Sequence, residues 1–406
     1  MKLLIRPKPY IDESLESYLL RLCLANYYDS FGILVAAMMN SFPQLQRLAG
    51  SLPTDLNSIN VYHANHSSAK RYRALMELVE LTGADISKIE SLIVFRSSQS
   101  FSKQYQAVIY QGKIIPRLFL RENTLPICPN CLEEAPYIRQ LWHFKTYHVC
   151  HVHKKRLIKK CPECGVNINY RSAFSTTTCS CGFDLRESVA SDIEDNDLLN
   201  CANLLVGTTI TAPKVLKDKT ITQSFGCLLW WWLEKCEDKS KSIDEVNLTG
   251  FYEYLNNWPQ SLLSDLTQRA ETGNLTAVTD SKNRKFKEQY GQLLLNAARL
   301  PERSLSANFI LYEIISWFRT QLTSPSAQQF QALQIDFIET AILLNTTTTE
   351  VYRLMEEGYL KTHCRTKVGE PISLSNTVFS LGDVFDLWIS GFQTEHSNLQ
   401  HFLSKW

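Results

Sequence analysis

The stretch that decides the fold lies between positions 128 and 181 and reads CPNCLEEAPYIRQLWHFKTYHVCHVHKKRLIKKCPECGVNINYRSAFSTTTCSC. Seven of the twelve cysteines of the 406-residue chain fall inside these 54 positions. A concentration of thiols this local is typical of a disulfide framework, of structural metal sites or of a catalytic metal centre. Each of these interpretations makes a different demand on the rest of the sequence.

A disulfide framework requires an oxidising compartment, and the sequence offers no export signal. The start, MKLLIRPKPY, has only a short apolar run before Arg6, Pro7 and Lys8 interrupt it. The longest strongly apolar run is CLLWWWL at 227–233, far short of the roughly 20 residues of a membrane-spanning helix. We therefore expect a cytoplasmic protein without membrane segments, whose thiols stay reduced and hold metal.

The spacing of the cysteines predicts two metal sites. A CxxC turn delivers two sulfurs to one ion, and tetrahedral zinc takes four ligands. The first CxxC is followed after eighteen residues by a CxxH, and the second after fourteen residues by a CxC. His151 competes with His153 for the first site, but the two-residue gap favours His153. We predict two zinc ions per chain, one held by Cys128, Cys131, Cys150 and His153 and the other by Cys161, Cys164, Cys179 and Cys181.

The sequence does not support a catalytic metal centre. Catalytic zinc keeps an open position beside a general base, which HExxH motifs or HxE with PCxxC motifs supply. The chain has neither pattern, nor a GxxxxGK[ST] phosphate loop or a GxSxG elbow. We therefore expect two closed structural sites, no catalytic residues and no enzymatic activity. His143 and His148 are expected to be satisfied or surface histidines, and the alternation in LWHFKTYHVC predicts a strand leading to Cys150.

Positive charge is concentrated in the same region. The formal net charge is only +1, yet residues 101–186 contain 13 Lys and Arg against 5 Asp and Glu. This excess predicts a surface for nucleic acid or an acidic protein partner, with a solvated face as the alternative. Its densest part is the basic run Lys154, Lys155, Arg156, Lys159 and Lys160.

Helical patterns lie on both sides of the cysteines. Near the start, Leu15, Tyr18, Leu19 and Leu22 recur at helical spacing with Asp12 as the predicted N-cap. A break at YDSFG and the segment ILVAAMM then give either a helix-turn-helix or two packed core helices. In the carboxyl-terminal half, three consecutive tryptophans at 230–232 are too many for one helix face, which predicts that at least one lies at an interface, either between domains or with a partner.

A stronger helix-turn-helix pattern is DFIETAILLNTTTTEVYRLMEEGYLK, with Gly358 ending the second helix. Val351, Leu354 and Met355 share one face of that helix. The opposite face is too acidic for DNA, so a protein partner is favoured there. The predicted outward residues are Thr349, Glu350, Tyr352, Arg353, Glu356 and Glu357.

These patterns predict a mainly α, multi-domain protein in which helix-turn-helix modules flank a small-β pair of zinc ribbon or finger motifs. Five parts are expected: an N-terminal helical domain with a helix-turn-helix at 1–126, tandem zinc-binding motifs at 127–186, an acidic linker at 187–199, a helical domain at 200–330 and a C-terminal helix-turn-helix region at 331–406.

The order of the motifs resembles the TniQ/TnsD family of transposition target-selection proteins. The resemblance rests on RPKPYIDESLESYLLRL followed by CPNC, LWHF, CHVH, CPEC and CSC. With NNWPQSLLSDL, LPERSLSANFILYEI and LWISGFQ further on, the chain is similar to the short TniQ proteins of transposons that carry a type I-F CRISPR system. The family's zinc ligands fall on the eight residues named above, although the last knuckle is CxC where many ribbons have CxxC.

The resemblance implies a non-enzymatic adaptor. Such proteins form a head-to-tail homodimer on the RNA-guided Cascade complex and its crRNA, at the subunit that holds the guide's 3′ hairpin and the adjacent backbone subunit. They lead to the AAA+ regulator TnsC, which recruits the transposase, while guide pairing selects the target DNA. The alternative is a direct, sequence-specific DNA-binding target selector of the TnsD type.

Overall fold

The computed structural model describes residues 3–41, 51–64, 68–101, 105–193, 196–207, 213–236, 243, 245–276, 284–298, 307–325, 327–363 and 373–389. The chain divides into two structural units. The first consists of Met1–Ser100, Tyr105–Ala212 and Ser240–Gly250, and the second of Phe101–Gln104, Pro213–Lys239 and Phe251–Trp406. Helices dominate the described residues and the sheets are small and antiparallel, which confirms the predicted fold class. No helix among these residues is both long and apolar enough to span a bilayer.

The first unit begins with two consecutive helices, α1 (Leu15–Ala25) and α2 (Phe31–Ser41). The predicted apolar face of α1 is fully buried. The predicted N-cap was wrong: the Ser14 hydroxyl, not Asp12, accepts the hydrogen bond from the Ser17 amide. Asp12 instead accepts hydrogen bonds from Tyr137 and Arg139 in the cysteine-rich region, which leaves the cap position to the next suitable side chain.

A three-stranded sheet lies within the segment that was expected to be helical. It follows α3 (Ser68–Thr82) and α4 (Ile86–Ser91) and consists of β1 (Phe95–Ser100), β2 (Gln106–Tyr110) and β3 (Lys113–Pro116) in the order β1-β2-β3. Gln111 and Gly112 both have positive φ, at 46° and 76°, as a two-residue hairpin turn between β2 and β3 requires. The segment AVIYQGKIIP therefore carried a hairpin signal that the helical interpretation missed.

The cysteine-rich region is built from very short elements. These are α5 (Pro129–Glu134), β4 (Val149–Cys150), β5 (Lys155–Arg156) and α6 (Tyr170–Ala173). The strand predicted for LWHFKTYHVC exists only at its last two residues, and Gln140–His143 forms a 3₁₀ turn. Nine of these ten residues are buried, so the segment has no solvated face for a strand to alternate toward.

The segment 187–199, predicted to be an acidic linker, contains ordered structure in its described residues. Residues 191–193 run beside the basic run: the Arg156 amide donates to the Ser191 carbonyl and the Ile193 amide to the Lys154 carbonyl. Helix α7 (Asn196–Val206) begins before the segment ends. The five-part division of the chain stays a prediction.

The second unit begins with α8 (Ile221–Lys235), which a capping box between Thr220 and Gln223 starts. Trp230, Trp231 and Trp232 are all buried, at 2%, 7% and 3% exposure. None of the three is therefore open at the surface of the chain, and an interface between domains, the other form of the prediction, stays a prediction. The Trp230 ring meets Tyr254 and Trp258.

The middle helices of the carboxyl-terminal half are amphipathic and short to medium in length. They are α9 (Glu245–Asn256), α10 (Gln260–Thr276), α11 (Phe286–Tyr290), α12 (Leu293–Ala297), α13 (Phe309–Leu322) and α14 (Ala327–Gln331).

The predicted C-terminal helix-turn-helix corresponds to α15 (Phe337–Leu343) and α16 (Thr348–Glu356). It lies between β6 (Gln334–Asp336) and β7 (Thr377–Ser380), which pair antiparallel, and α17 (Leu381–Ile389) follows. Gly358 adopts φ 82° just after α16, as predicted for the helix end. Glu350, expected on the outside, is 8% exposed and is an exception to the predicted outer face.

Candidate metal centres

The first cluster brings together Cys128, Cys131, Cys150 and His153, as the spacing predicted. Cys128 is the N-cap of α5 and Cys131 lies in its first turn, so the helix start holds both sulfurs on one side. Cys150 ends β4, and the turn that follows, closed by a 2.8 Å hydrogen bond from the Lys154 amide to the Cys150 carbonyl, places His153 at the cluster. The four ligand atoms lie within 4.8 Å of one another.

The distances in this cluster fit a tetrahedral ion. The Cys131 and Cys150 sulfurs are 3.6 Å apart, and His153 Nδ1 lies 3.6, 3.3 and 3.6 Å from the sulfurs of Cys128, Cys131 and Cys150. Two sulfurs bound to one zinc at about 2.3 Å are separated by about 3.8 Å in a tetrahedron. The donor set of three thiols and one imidazole suits zinc or another thiophilic ion.

The choice between the two histidines of CHVH is resolved by their contacts. His151 Nδ1 lies 2.7 Å from the Tyr147 hydroxyl and is engaged there. His153 points Nδ1 into the cluster and Nε2 toward Glu134 Oε1 at 3.0 Å. His153, and not His151, therefore completes the group of four that could hold an ion. His143 Nε2 lies 3.1 Å from the buried Tyr170 hydroxyl, in line with the expectation of a satisfied core histidine.

The close packing of three thiols in the first cluster favours a bound cation. Hydrogen bonds with Cys128 and Cys131 move the pKa of the Cys150 thiol far below its usual range, while the Cys128 hydrogen bond and burial move the pKa of Cys131 far above it. Three nearly inaccessible sulfurs this close repel one another once ionised. A bound cation removes that repulsion and allows all three to be thiolates.

The second cluster consists of Cys161, Cys164, Cys179 and Cys181, again as predicted. Two knuckle turns supply the sulfurs, and each ends in a glycine with positive φ, Gly165 at 71° and Gly182 at 93°. The Cys161–Cys181 and Cys164–Cys179 sulfur pairs are each separated by 3.8 Å, so the CxC spacing converges as well as a CxxC.

The two clusters differ in exposure. Cys128, Cys131 and Cys150 are at most 1% exposed. In the second cluster Cys161 is buried, whereas Cys164 and Cys181 are exposed. Each cluster can hold a metal ion, but solvent and chelators reach the second one more easily.

The basic run lies between the two clusters and is only partly open to solvent. Lys154 and Lys160 are exposed, whereas Lys155, Arg156 and Lys159 are half-buried. Lys155 Nζ is 3.9 Å from Asp192 Oδ1 in the segment that runs alongside. The acidic segment therefore offsets part of the charge that the sequence concentrates here.

The cysteine-rich region is attached to the start of α1 by contacts that no motif in the sequence predicts. The Ser14 amide donates to the Ile138 carbonyl at 2.9 Å, and the Gln140 amide donates to the Asp12 carbonyl at 2.8 Å. The Tyr170 hydroxyl lies 3.1 Å from the Ser14 hydroxyl. The two residues of each pair are more than a hundred positions apart in sequence, so no short sequence pattern predicts the contact.

Residues 4–157 match the sequence model of the TniQ family. The chain carries a TniQ domain. The match extends from the segment before α1 to just beyond His153, so it includes the whole first cluster and stops before the second. The resemblance to the TniQ family is thereby confirmed, and the domain indicates a transposition-associated target-selection protein. No curated protein matches the chain significantly.

Proposed function

We propose that this TniQ protein is a non-enzymatic adaptor that binds a type I-F CRISPR Cascade complex as a head-to-tail homodimer. It would link RNA-guided target recognition to the AAA+ regulator TnsC and, through it, to the transposase. The observation that carries the proposal is the TniQ domain at residues 4–157. The motifs of the carboxyl-terminal half, which resemble those of the short TniQ proteins, support the narrower assignment to a type I-F system.

The outer face of α16 supports a protein partner rather than DNA. Arg353 lies on this face, and its guanidinium is 2.8 Å from Glu357 and 3.9 Å from Glu350. Glu356 is exposed beside them, and the Tyr352 ring is 43% exposed. A helix whose arginine is engaged by two carboxylates adds no attraction for phosphates, whereas exposed tyrosines are common in protein interfaces.

We propose that both clusters hold zinc with a structural role. The donor sets, three thiols with one imidazole and four thiols, are those of closed structural zinc sites. Cys128, Cys131, Cys150 and His153 would hold one ion, and Cys161, Cys164, Cys179 and Cys181 the other. Zinc would supply no reaction here. It would fix the ends of α5, β4 and the two knuckles in a region too short of regular structure to hold itself together.

A TnsD-type selector that reads DNA directly is the second candidate. The observation that favours it is the exposed pair Lys154 and Lys160 in a region of positive charge. The half-buried state of the other three basic residues, and the Asp192 carboxylate beside Lys155, weaken this candidate.

The adaptor proposal is tested by copurification. Tagged protein is expressed with a type I-F Cascade and its guide RNA, and we expect a stable complex that survives size-exclusion chromatography. In cells, deletion of the protein should abolish RNA-guided integration but leave guide-directed target binding intact, because base pairing and the PAM-reading subunit supply that step. Integration that proceeds normally without the protein, or Cascade that never retains it, would refute the proposal.

A further inference from the structure

A carboxylate outside the four ligands contacts the first cluster. Glu134 Oε1 lies 3.0 Å from His153 Nε2, on the side of the ring opposite the sulfurs. Glu134 is the last residue of α5, the helix that carries Cys131 and whose N-cap is Cys128. The three residues therefore follow one another at intervals of three along one short helix, which keeps them on neighbouring positions of its surface.

We propose that Glu134 is the positioning residue of the first metal site, holding the imidazole of His153 in the tautomer and orientation that present Nδ1 to the ion. The inference rests on the proposed metal occupancy of the first cluster and extends it to a residue that is not itself a ligand.

The hydrogen bond between Glu134 and His153 determines which ring nitrogen carries the proton. An ionised carboxylate has only acceptor atoms, so the nitrogen that faces it must carry the proton. Nε2 faces Glu134, and the Nε2–H tautomer leaves the Nδ1 lone pair free on the side of the cluster. Nδ1 is the ring atom that lies 3.3 to 3.6 Å from the three sulfurs. Glu134 thus selects the tautomer that this geometry requires.

The same contact acts on the orientation and the basicity of the His153 ring. A ligand histidine that donates its other N–H to a carboxylate is held against rotation and becomes a better electron donor to the metal. His151, two residues earlier, shows the opposite arrangement, since its Nδ1 is engaged by Tyr147 and not directed at the cluster. The carboxylate contact is thus specific to the histidine that completes the donor set.

The second cluster provides an internal comparison. Its first knuckle also has two cysteines three residues apart, Cys161 and Cys164, but the next position at that interval is Asn167. All four of its ligands are cysteines, so it has no imidazole to orient. A carboxylate at this position is therefore present in the cluster that contains a histidine and absent from the cluster that does not.

The size of the effect follows from exposure. Loss of a carboxylate behind a ligand histidine typically lowers metal affinity by about 10- to 100-fold. The side chain of Glu134 is 58% exposed, so water screens part of its charge and can replace part of its hydrogen bond. We therefore expect the loss of metal affinity to lie near the lower end of this range, at about tenfold.

The test uses the full-length protein loaded with ¹¹³Cd²⁺, which gives separate NMR resonances for a three-sulfur, one-nitrogen site and a four-sulfur site. Titration with a chelator then reports the affinity of each site in one sample. Glu134→Ala should lower the affinity of the first site about tenfold and leave the second unchanged. Glu134→Gln, whose amide oxygen can still accept the hydrogen bond, should lie between Glu134→Ala and wild type.

Glu133→Ala is the matched control, because it removes the same charge from the neighbouring exposed position of α5. If Glu133→Ala and Glu134→Ala weaken the first site equally, the effect is one of general charge and the positioning role is wrong. If neither variant changes it, the role is also wrong. Wild-type protein that binds no cadmium at the first site would instead overturn the metal proposal itself, together with this inference.

A spectroscopic measurement separates positioning from mere support of the fold. In ¹⁵N-histidine spectra of the metal-loaded protein, His153 should be in the Nε2–H form with slow exchange of that proton. In Glu134→Ala the same proton should exchange faster while the remaining spectrum stays in place. A His153 signal unaffected by the substitution contradicts the proposal.

Discussion

At the scale of single residues, the interior of the first unit depends on histidines that stay neutral. His143 is buried, and its Nε2 lies 3.1 Å from Tyr170, whose hydroxyl also lies 3.1 Å from Ser14. Burial lowers the pKa of His143 to about 4, and it does the same for His63. A chain of hydrogen bonds between α1 and the cysteine-rich region therefore includes a group that resists protonation.

The lowered pKa of the buried His143 predicts that the folded protein loses stability in acid. An unfolded histidine titrates near pH 6.5, so between about pH 6.5 and 4 the unfolded state binds more protons and stability falls as the pH is lowered. At about 1.4 kcal/mol per pKa unit, His143 accounts for at most about 3 kcal/mol of that loss. His143→Gln keeps a polar partner for Tyr170 without the titration, so its free energy of unfolding should depend less steeply on pH. Urea denaturation at pH 7 and pH 5 measures the difference.

The control is His363→Gln, which changes a histidine at the surface of the second unit, 3.4 Å from Asp383 Oδ2. This side chain lacks the burial that affects His143, so the stability of the variant should follow the wild type in acid more closely than that of His143→Gln does. Loss of metal in acid affects all three proteins alike and cancels in the comparison. A His143→Gln curve parallel to the wild type would mean that other groups cause the acid sensitivity.

At the scale of elements, the two clusters of candidate metal ligands connect different parts of the chain. The first joins α5 to the β4–β5 hairpin, and the loop between them hydrogen-bonds to α1 through Ile138 and Gln140. The second closes two knuckle turns, with Cys164 and Cys181 at the surface. Disruption of the first cluster should therefore weaken the contacts between α1 and the cysteine-rich region. Disruption of the second should affect only its own two turns.

We accordingly predict different outcomes for two matched substitutions. Cys128→Ser and Cys164→Ser should each reduce the zinc content by one ion per chain, measured by elemental analysis. Cys128→Ser should lower the melting temperature much more, because structural zinc contributes about 10 to 16 kcal/mol of binding free energy in isolated finger peptides and the first site is coupled to α1. Equal melting temperatures, or a fully folded metal-free wild type, would count against the structural role of these sites.

The sequence could predict which residues come together in each cluster, because these groupings depend on local turns. CPNC, CPEC and CSC each place two sulfurs on one side of a tight bend, whatever surrounds them. The N-cap of α1 could not be predicted in the same way, because the competition between Asp12 and Ser14 is decided by Arg139 and Tyr137, more than a hundred residues away. The burial of all three tryptophans of α8 likewise depends on neighbours that periodicity does not reveal.

At the scale of the whole molecule, the charge is balanced overall but unevenly distributed. The formal net charge is +1, while the basic run between the clusters presents Lys154 and Lys160 to solvent. Non-specific affinity for nucleic acid scales with the number of cations that neutralise phosphates. The two open lysines of the basic run provide far less attraction than the 6 to 10 contacts typical of a protein whose affinity falls steeply with salt.

The isolated protein should therefore bind duplex DNA weakly and without sequence preference, at about 10⁻⁴ to 10⁻⁶ M in physiological salt. Lys154→Ala combined with Lys160→Ala should weaken that binding further, and more at low than at high ionic strength, because the interaction is electrostatic and screened. Lys217→Ala combined with Lys361→Ala removes the same charge at other exposed positions and should have little effect. Fluorescence anisotropy with target and scrambled duplexes over a series of salt concentrations measures all of these quantities.

If both double variants weaken binding equally, the basic run is only a solvated face. If instead the wild type binds one sequence at about 10⁻⁸ M or tighter against competitor DNA, the protein reads its target itself, and the TnsD-type alternative replaces the adaptor.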